Sequence, residues 1–562
     1  MERLLSNKNI WKQIPGRDGV YYYTAIQNAL MALATDAMKD IDLRNIEGNR
    51  FSYMINIAVK ELERLLREYP SLIKREGWNI VLSINDLDLT KSINIDRYKM
   101  PIKPKIKGVK YELSYVGEWE LNNKLKKLLW RLSNMPFIVN KEDCANNPRE
   151  KENNELYTLE SILFKRVASE ENEVIRIPHF FDKRGRFYSD SYGLNYQGDE
   201  WSKSSISPKI FRKVEPKNLK WLVIDIANHF GLDKETNEVK LAWFKSIRRH
   251  KFMSLIAASR GRGYLLKLAD KPLLFKRAIK AWVDAEIFNK PINHFVSLDA
   301  TASGMQILGL ISKDKKLCKL TNLTHSNNCY DVYELVGREV AKYKGLPYNK
   351  AIRKPCKKVT MTYYYNSQKG LEEQSEVLNK LGGKRITPSK LEELVIKVSS
   401  GAKQVKDLIN KVFDKLPDTT DVIRFTMPDG FQVELPLISK AMMKVRCNYK
   451  DVNFMYDINK YNKNDWRGLV PNIIHAIDSW IAREMVYRAK FPIYCIHDCF
   501  YCHPNNVDEM KQNMYEILRE VANKDFYNYI CSQICKNAGI EFERVDFGKE
   551  NIIINPNAYF IC

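Results

Sequence analysis

The sequence predicts an α+β fold, rich in helix and carrying a small antiparallel sheet. Three observations lead there. Helical periodicity recurs in long stretches, as in "INIAVKELERLLREY", where Ile57, Val59, Leu62, Leu65 and Leu66 fall largely on one side. Short apolar runs bounded by turn residues read as strands, as in "HFVSLDA" (294–300) and on both sides of the Asp-Gly of "MPDGFQVELP". The two kinds of segment follow one another without a regular strand–helix rhythm, which argues against a doubly wound sheet.

In chain order, 22–47 and 52–69 read as helices. "MPIKPKIKG" (100–108) reads as loop or extended chain, and the polar, breaker-rich "NKEDCANNPREKENNE" (140–155) as a linker. Residues 217–230 and 236–258 read as helices. "HFVSLDA" ends a strand on an acid, and "TASGMQILGLIS" continues as a helix. "DVYELVGREVAKYKG" (331–345) is a helix closed by glycine. The spacing of "YCIHDCFYCH" (494–503) suits a hairpin strand, alternation sending Cys495, His497 and Cys499 to one side and Ile496, Asp498 and Phe500 to the other. No internal repeat is present.

A chain of 562 residues with 44% hydrophobic content can build more than one core. Its formal net charge of +23 and pI near 9.3 direct it toward polyanions, either nucleic acid or an acidic membrane surface. No apolar run reaches the ~18 residues a membrane span needs. Eleven scattered cysteines do not make a disulfide framework and suit a reducing compartment. The first residues show neither a signal-peptide core nor a transit-peptide composition, so neither kind of leader is expected.

Two patterns carry chemistry. Asp299 and Asp498 each sit in an apolar strand context, where an acid is costly unless paired or bound to a cation. Together they would suit a hard divalent cation, which takes one or two carboxylates and leaves other positions to water and phosphate. The two acids alone leave a metal site and a satisfied core pair both open. Cys499, Cys502 and His503 resemble half a zinc site, but no second half follows elsewhere. In "RKPCKKVTMTYYYNS" (353–367), Arg353, Lys357, Met361 and Tyr365 recur every fourth residue, one stripe on a helix. Cations followed by an aromatic ring suit a nucleoside triphosphate, whose phosphates would also meet the helix N-terminus. Pro355 is expected in the first turn. A solvated basic helix explains the charges but not the three consecutive tyrosines.

Taken together and in order, five segments resemble the single-subunit DNA-directed RNA polymerases of bacteriophage and mitochondrial type. They are "DKRGRFYSDSYGLNYQGDEWSKS" (182–204), "LDATASGMQ" (298–306), "RKPCKKVTMTYYYNS", "PNIIHAIDS" (471–479) and "IHDCF" (496–500). The resemblance implies a right-hand fold of palm, fingers and reduced thumb. Its expected divisions are a reduced helical N-terminal region (1–150), a thumb remnant with the first part of the palm (151–314), fingers (315–435), and a promoter-loop-like hairpin with the rest of the palm (436–562). It implies two Mg²⁺ ions held by Asp299, Asp498 and the Ala300 carbonyl. Arg353 and Lys357 would take the triphosphate, with Lys357 near the reacting phosphate. Tyr365 and His475 would check the sugar and base. Arg184 and Arg186 would lie near the RNA–template hybrid, and Lys444 and Arg446 on the hairpin would meet DNA, an ordinary basic hairpin being the plain alternative.

The implied activity is RNA synthesis on a DNA template from ribonucleoside triphosphates. A related DNA polymerase or a non-catalytic nucleic-acid-binding relative are the alternatives. A DNA polymerase of this fold would carry Glu five residues after the first Asp, where this chain has Gly304. The implied partners are template, transcript and nucleotides, with a recruiting or single-strand-binding protein in place of the family's longer N-terminal region and thumb, no membrane, and a monomeric or heteromeric state. A phage protein in the bacterial cytoplasm is favoured over a mitochondrial one. Asn366 stands where the family has Gly, and Asn tolerates left-handed backbone.

Overall fold

The computed structural model describes residues 121–140, 143, 174–190, 195–325, 328–364, 366, 368–417, 420, 422–436, 468–548 and 552–562, with the backbone of five further strands. The N-terminal strands are β1 (Val20–Tyr21), β2 (Ile73–Glu76) and β3 (Asn79–Ser83), ordered β1-β3-β2 and antiparallel. The helices expected at 22–47 and 52–69, the loop at 100–108 and nearly all of the expected linker lie outside the described residues.

Helix α1 (Asn123–Ser133) is capped by the Asn122 side chain and followed by β4 (Phe137–Val139). A hairpin of β5 (His179–Phe181) and β6 (Phe187–Ser189) flanks the Arg-Gly-Arg turn. Next come α2 (Glu200–Ser205) and β7 (Ile206–Pro208), which pairs with β4. The helices expected at 217–230 and 236–258 form with breaks. α3 (Leu219–Ala227) runs into a π-turn at Asn228–Leu232, and the second span divides into α4 (Asn237–His250) and α5 (Phe252–Ser259) at Lys251. Then follow α6 (Tyr264–Leu268) and α7 (Pro272–Trp282).

Strand β8 (Val296–Asp299) and helix α8 (Ser303–Ile311) form as the apolar run predicts, followed by α9 (Lys315–Leu320). α10 (Val332–Lys344) starts on the Asp331 cap and stops at Gly345, whose φ is +68°. α11 (Lys350–Tyr364) begins earlier than expected, because the Asn349 carboxamide accepts the Ile352 N–H. Pro355 is therefore buried inside the helix and not in its first turn.

Helices α12 (Gln368–Asn379), α13 (Pro388–Val398) and α14 (Ser400–Asp414) complete this lobe. The Asp429-Gly430 turn joins β9 (Val422–Thr426) to β10 (Gln432–Pro436) as expected. β11 (Ile438–Cys447) and β12 (Val452–Tyr461) form a long hairpin.

The long helix α15 (Leu469–Arg488) buries fifteen of its residues and packs against α1, α8, α14, α16 (Val507–Asn523) and β13 (Ile493–Ile496). A helix apolar on nearly every side belongs in a core. β13, β14 (Cys499–Cys502) and β8 form one antiparallel sheet in the order β13-β14-β8, and α17 (Phe526–Asn537) backs the β9–β10 hairpin. The result is helix-rich with small antiparallel sheets around one contiguous apolar core. Among the described residues no helix is long and apolar enough to cross a membrane.

Candidate active site

The β8–β14 register sets the two acids side by side. Asp299 lies opposite Cys499, and Ile496 pairs with Cys499 across a two-residue turn made of His497 and Asp498. The turn corrects the expected alternation: His497 has φ +56° and leaves the strand, so the side-chain pattern does not run through it. The Ala300 N–H donates to the Asp498 carbonyl at 3.2 Å, holding the turn against the end of β8. Both carboxylates face a cavity of about 350 Å³ that also takes in Gly304, Arg353, Lys357 and His475. Solvent reaches Asp299 through this cavity while protein surrounds it elsewhere. Burial and the neighbouring Asp498 charge push its pKa up to about 7.

Ala300 borders the cavity, and its carbonyl already accepts the Ala302 N–H at 2.9 Å, leaving one lone pair. Ala302 itself sits at φ +82°, a strained position for alanine, between the acid and α8. The strand-like segment at 558–562 holds this corner in place. Asp299 and Cys562 exchange N–H···O bonds of 2.9 and 3.0 Å, Thr301 N–H reaches the Phe560 carbonyl at 3.2 Å, and the Gln306 carboxamide reaches it at 3.0 Å. In sequence the ending "NAYFIC" resembles an aromatic C-terminal tail of the single-subunit polymerases, a resemblance that assigns it no role.

α11 supplies the basic wall. Arg353 donates Nε and Nη2 to Asp331 Oδ2, the former at 2.7 Å, while Asp331 Oδ1 caps α10. Lys357 Nζ lies 5.5 Å from the Tyr333 ring centroid. Tyr364 borders the cavity and points its hydroxyl to Ser399, and Tyr365 lies outside the described residues. Asn366 adopts φ +53°, the left-handed backbone the substitution for Gly was expected to permit, and donates its Nδ2 to Asn410 Oδ1.

The Arg-Gly-Arg turn closes the other side. Asp182 Oδ1 accepts both the Arg184 and Arg186 N–H groups at 2.9 Å. Gly185 has φ +83°, and a Cβ there would lie 2.1 Å from Arg483 Nη1, so only glycine fits. The two arginines then reach α15: Arg184 Nη1 meets His475 Nδ1 at 3.1 Å, and Arg186 Nη2 meets Asp478 Oδ2 at 2.9 Å. Burial, then the Arg186 and Arg184 charges, lower the His475 pKa to about 3, so its ring is neutral at pH 7. The buried Arg186 Nε has no hydrogen-bond partner among the described residues.

Asp478, within "PNIIHAIDS", carries no sequence-based role, and the structure makes it a third acid of the site. It borders the cavity, and burial followed by the Asp498 charge raises its pKa to about 6. Its spacing of three from His475 on an apolar helix was the available signal. Lys234, also at the cavity, arrives from the loop after the π-turn and had no local signal. Lys444 and Arg446 lie on β11, opposite Met455 and Asn453, and their side chains lie outside the described residues.

The thiols do not build a metal centre. His503 Nδ1 accepts the Asn505 N–H and its Nε2 meets the Arg212 carbonyl, so both ring nitrogens are used in packing. Among the described residues no three His, Cys, Asp or Glu side chains are grouped to hold a metal, which leaves the oxygen set of Asp299 and Asp498 as a two-carboxylate arrangement.

Comparison with known proteins agrees with this arrangement. A family model described as DNA-dependent RNA polymerase matches residues 212–545, more than half of the 562. A probable DNA-directed RNA polymerase of Gelasinospora sp. (strain G114) is 24% identical over 63% of this chain and 49% of its own length. The DNA-directed RNA polymerase of Pseudomonas phage phiKMV is 24% identical over 63% of this chain and 48% of its own. The mitochondrial DNA-directed RNA polymerase of Mus musculus is 22% identical over 64% and 33%. The matched region thus spans half or less of these relatives. With the two acids, the basic helix and the Arg-Gly-Arg turn meeting at one cavity and the family model across more than half of the chain, this protein belongs to the single-subunit DNA-dependent RNA polymerase family.

Proposed function

We propose that the chain synthesises RNA on a DNA template by nucleotidyl transfer from ribonucleoside triphosphates. The observation that carries this reading is the meeting of Asp299 and Asp498 with Arg353 and Lys357 around one cavity. The relatives named as DNA-directed RNA polymerases support it.

The donor set fits magnesium. The Asp498 charge beside Asp299 raises the proton affinity of Asp299, an unfavourable arrangement that a divalent cation relieves, and carboxylate and carbonyl oxygens are the donors such a hard cation takes. Asp299, Asp498 and the free lone pair of the Ala300 carbonyl would hold two Mg²⁺ ions. Bound there, such ions supply charge neutralisation and activation of a hydroxyl.

The chain's own groups do the rest. Arg353, fixed by Asp331, and Lys357 hold the β- and γ-phosphates so that the transcript 3′-OH lies in line with the α-phosphate. As the bond to pyrophosphate breaks, Lys357 faces growing negative charge and donates a proton to the leaving group. Arg186, held by Asp478 through Nη2 at the cavity wall, presents its positive charge to the transcript end or template. Neutral His475, held by Arg184, and Tyr365 contact the nucleotide sugar. Gly304 leaves room for a 2′-hydroxyl, since a Cβ there would find only Ile474 at 3.6 Å. A recruiting or single-strand-binding partner belongs to this reading. So does a phage or mitochondrial genome as template, the relatives being named from both settings.

Extension of an RNA primer on a DNA template, with ribonucleotides or deoxyribonucleotides supplied separately, tests it. Ribonucleotide addition is expected. Exclusive use of deoxyribonucleotides, or no template-dependent addition, would refute it.

A further inference from the structure

Between Lys245 and Lys280 the chain carries eleven Lys and Arg residues and a single acid, Asp270. This stretch forms the end of α4, then α5, α6 and α7, and it holds a cluster of exposed apolar side chains. Met253 is 75% exposed, Leu268 59%, Tyr264 42% and Phe252 37%. Lys251 Nζ stands 5.1 Å from the Tyr264 ring centroid, which brings the start of α5 and the start of α6 together on one face. The turn between them presents Arg260 and Arg262 on either side of Gly261 (φ +75°), with Gly263 (φ +96°) following. Its N–H groups return to the Ala257 and Ala258 carbonyls, fixing the turn at the C-terminal end of α5.

Some of the charge is used internally. Arg248 pairs with Glu286 at 3.1 Å, Lys276 with Asp143 at 2.8 Å, and Arg277 donates to the Lys203 and Ile206 carbonyls. Arg249, Lys251, Arg260, Arg262 and Lys267 are exposed and have no ion pair among the described residues. Cations at a helix C-terminus complement its dipole, which accounts for Arg260 and Arg262 in part. It does not account for rings and a methionine exposed among them. An excess of like charge costs self-repulsion that a polyanion relieves, and exposed aromatic faces between cations are what unpaired bases stack on.

The face begins close to the cavity. Lys271 N–H bonds to the His229 carbonyl in the π-turn that leads to Lys234, which lines the cavity. We propose that the α5–α6 face, centred on Lys251, Arg260, Arg262 and Tyr264, binds the single-stranded transcript after it leaves the template. The occupant is RNA because the transcript is the one strand with no complement waiting to re-pair with it. Duplex would bury its bases and leave the rings without a partner. This inference rests on the RNA-synthesis reading above.

The test measures binding of the full chain to a labelled single-stranded RNA of about 16 nucleotides, and to DNA of the same sequence, across a salt series. The triple variant Lys251→Gln, Arg260→Gln, Arg262→Gln should weaken RNA binding about tenfold and lower the salt slope by roughly 2, three contacts at ~0.7 each. Tyr264→Ala should weaken binding about tenfold with the slope unchanged. Extension of a hybrid whose RNA is too short to leave the cavity should be unaffected in both variants. Unchanged RNA affinity in both variants, or a loss confined to DNA, would overturn the inference. Failure of the wild type to extend the short hybrid would instead refute the RNA-synthesis reading, leaving the binding result to stand by itself.

Discussion

Cys562 and Asp299 face one another as backbone partners, each donating its N–H to the other's carbonyl at 3.0 and 2.9 Å. The bonds continue through Thr301 and Gln306 to Phe560, so this segment acts as an added strand beside the acid. Deleting residues 559–562 should therefore displace Asp299. A displacement of about 1 Å costs on the order of 100-fold in rate, and primer-extension kinetics should show a loss of that size with nucleotide binding less affected. Full activity in the truncated chain would mean that β14 alone positions the acid.

Lys357 meets charge that grows in the transition state, so Lys357→Ala should lower kcat about 100-fold or more. Single-turnover addition separates this from binding. A raised KM with unchanged kcat would assign Lys357 to ground-state binding instead. Arg353→Ala should raise KM more than Lys357→Ala does, and it also leaves Asp331 without its cation.

Sugar choice is expected to sit at Gly304 and Tyr365. Gly304→Glu fits sterically at Cβ and should cut ribonucleotide use at least about tenfold, by filling the space for the 2′-hydroxyl. Tyr365→Phe should relax rejection of deoxyribonucleotides. Competition between the two nucleotide types reads both effects. Unaltered selectivity in Tyr365→Phe would move the role to another residue.

Ionisation of the acids predicts a pH dependence of stability. Asp299 and Asp478 hold protons up to about pH 7 and 6 in the folded chain, above the values for free carboxyls. Folded protein then binds more protons than unfolded protein in that window, so stability from these groups is lost as pH rises from about 4 to about 7. Thermal melting in a chelator should show this fall, Asp299→Asn should reduce it, and Mg²⁺ should raise the melting temperature above pH 7. A flat profile, or no response to Mg²⁺, would contradict the paired-carboxylate site.

The Arg-Gly-Arg turn depends on a side chain far from it in sequence. Arg483, fully buried, pairs with Asp429 and donates to the Gly185 carbonyl at 2.8 Å. Arg483→Met should cost about 3–5 kcal/mol in denaturant unfolding, since it leaves Asp429 buried and unpaired. A cost under about 1 kcal/mol would show that water can enter this pair.

The local features were legible because they are written in contiguous residues. Period-two and period-four patterns gave β8, α8, α10 and α11, and the Asp-Gly pair gave the β9–β10 hairpin. What failed was set by contacts or conformations without a sequence pattern. The turn at His497–Asp498 interrupts a run that reads as one strand, because His497 takes a left-handed backbone. Pro355 lies inside α11 because Asn349 starts the helix a turn sooner. Asp478, Lys234 and the 558–562 segment reach the cavity from three separate parts of the chain, and only tertiary packing assembles them.

The central claim is that Asp299 and Asp498 work as one site. Ribonucleotide addition to an RNA–DNA hybrid in Mg²⁺, comparing wild type with Asp299→Asn and Asp498→Asn, tests it most directly. Either substitution is expected to reduce addition by about 1,000-fold or more, with the protein still folded and hybrid still bound. Addition at wild-type rate by either variant would contradict the account.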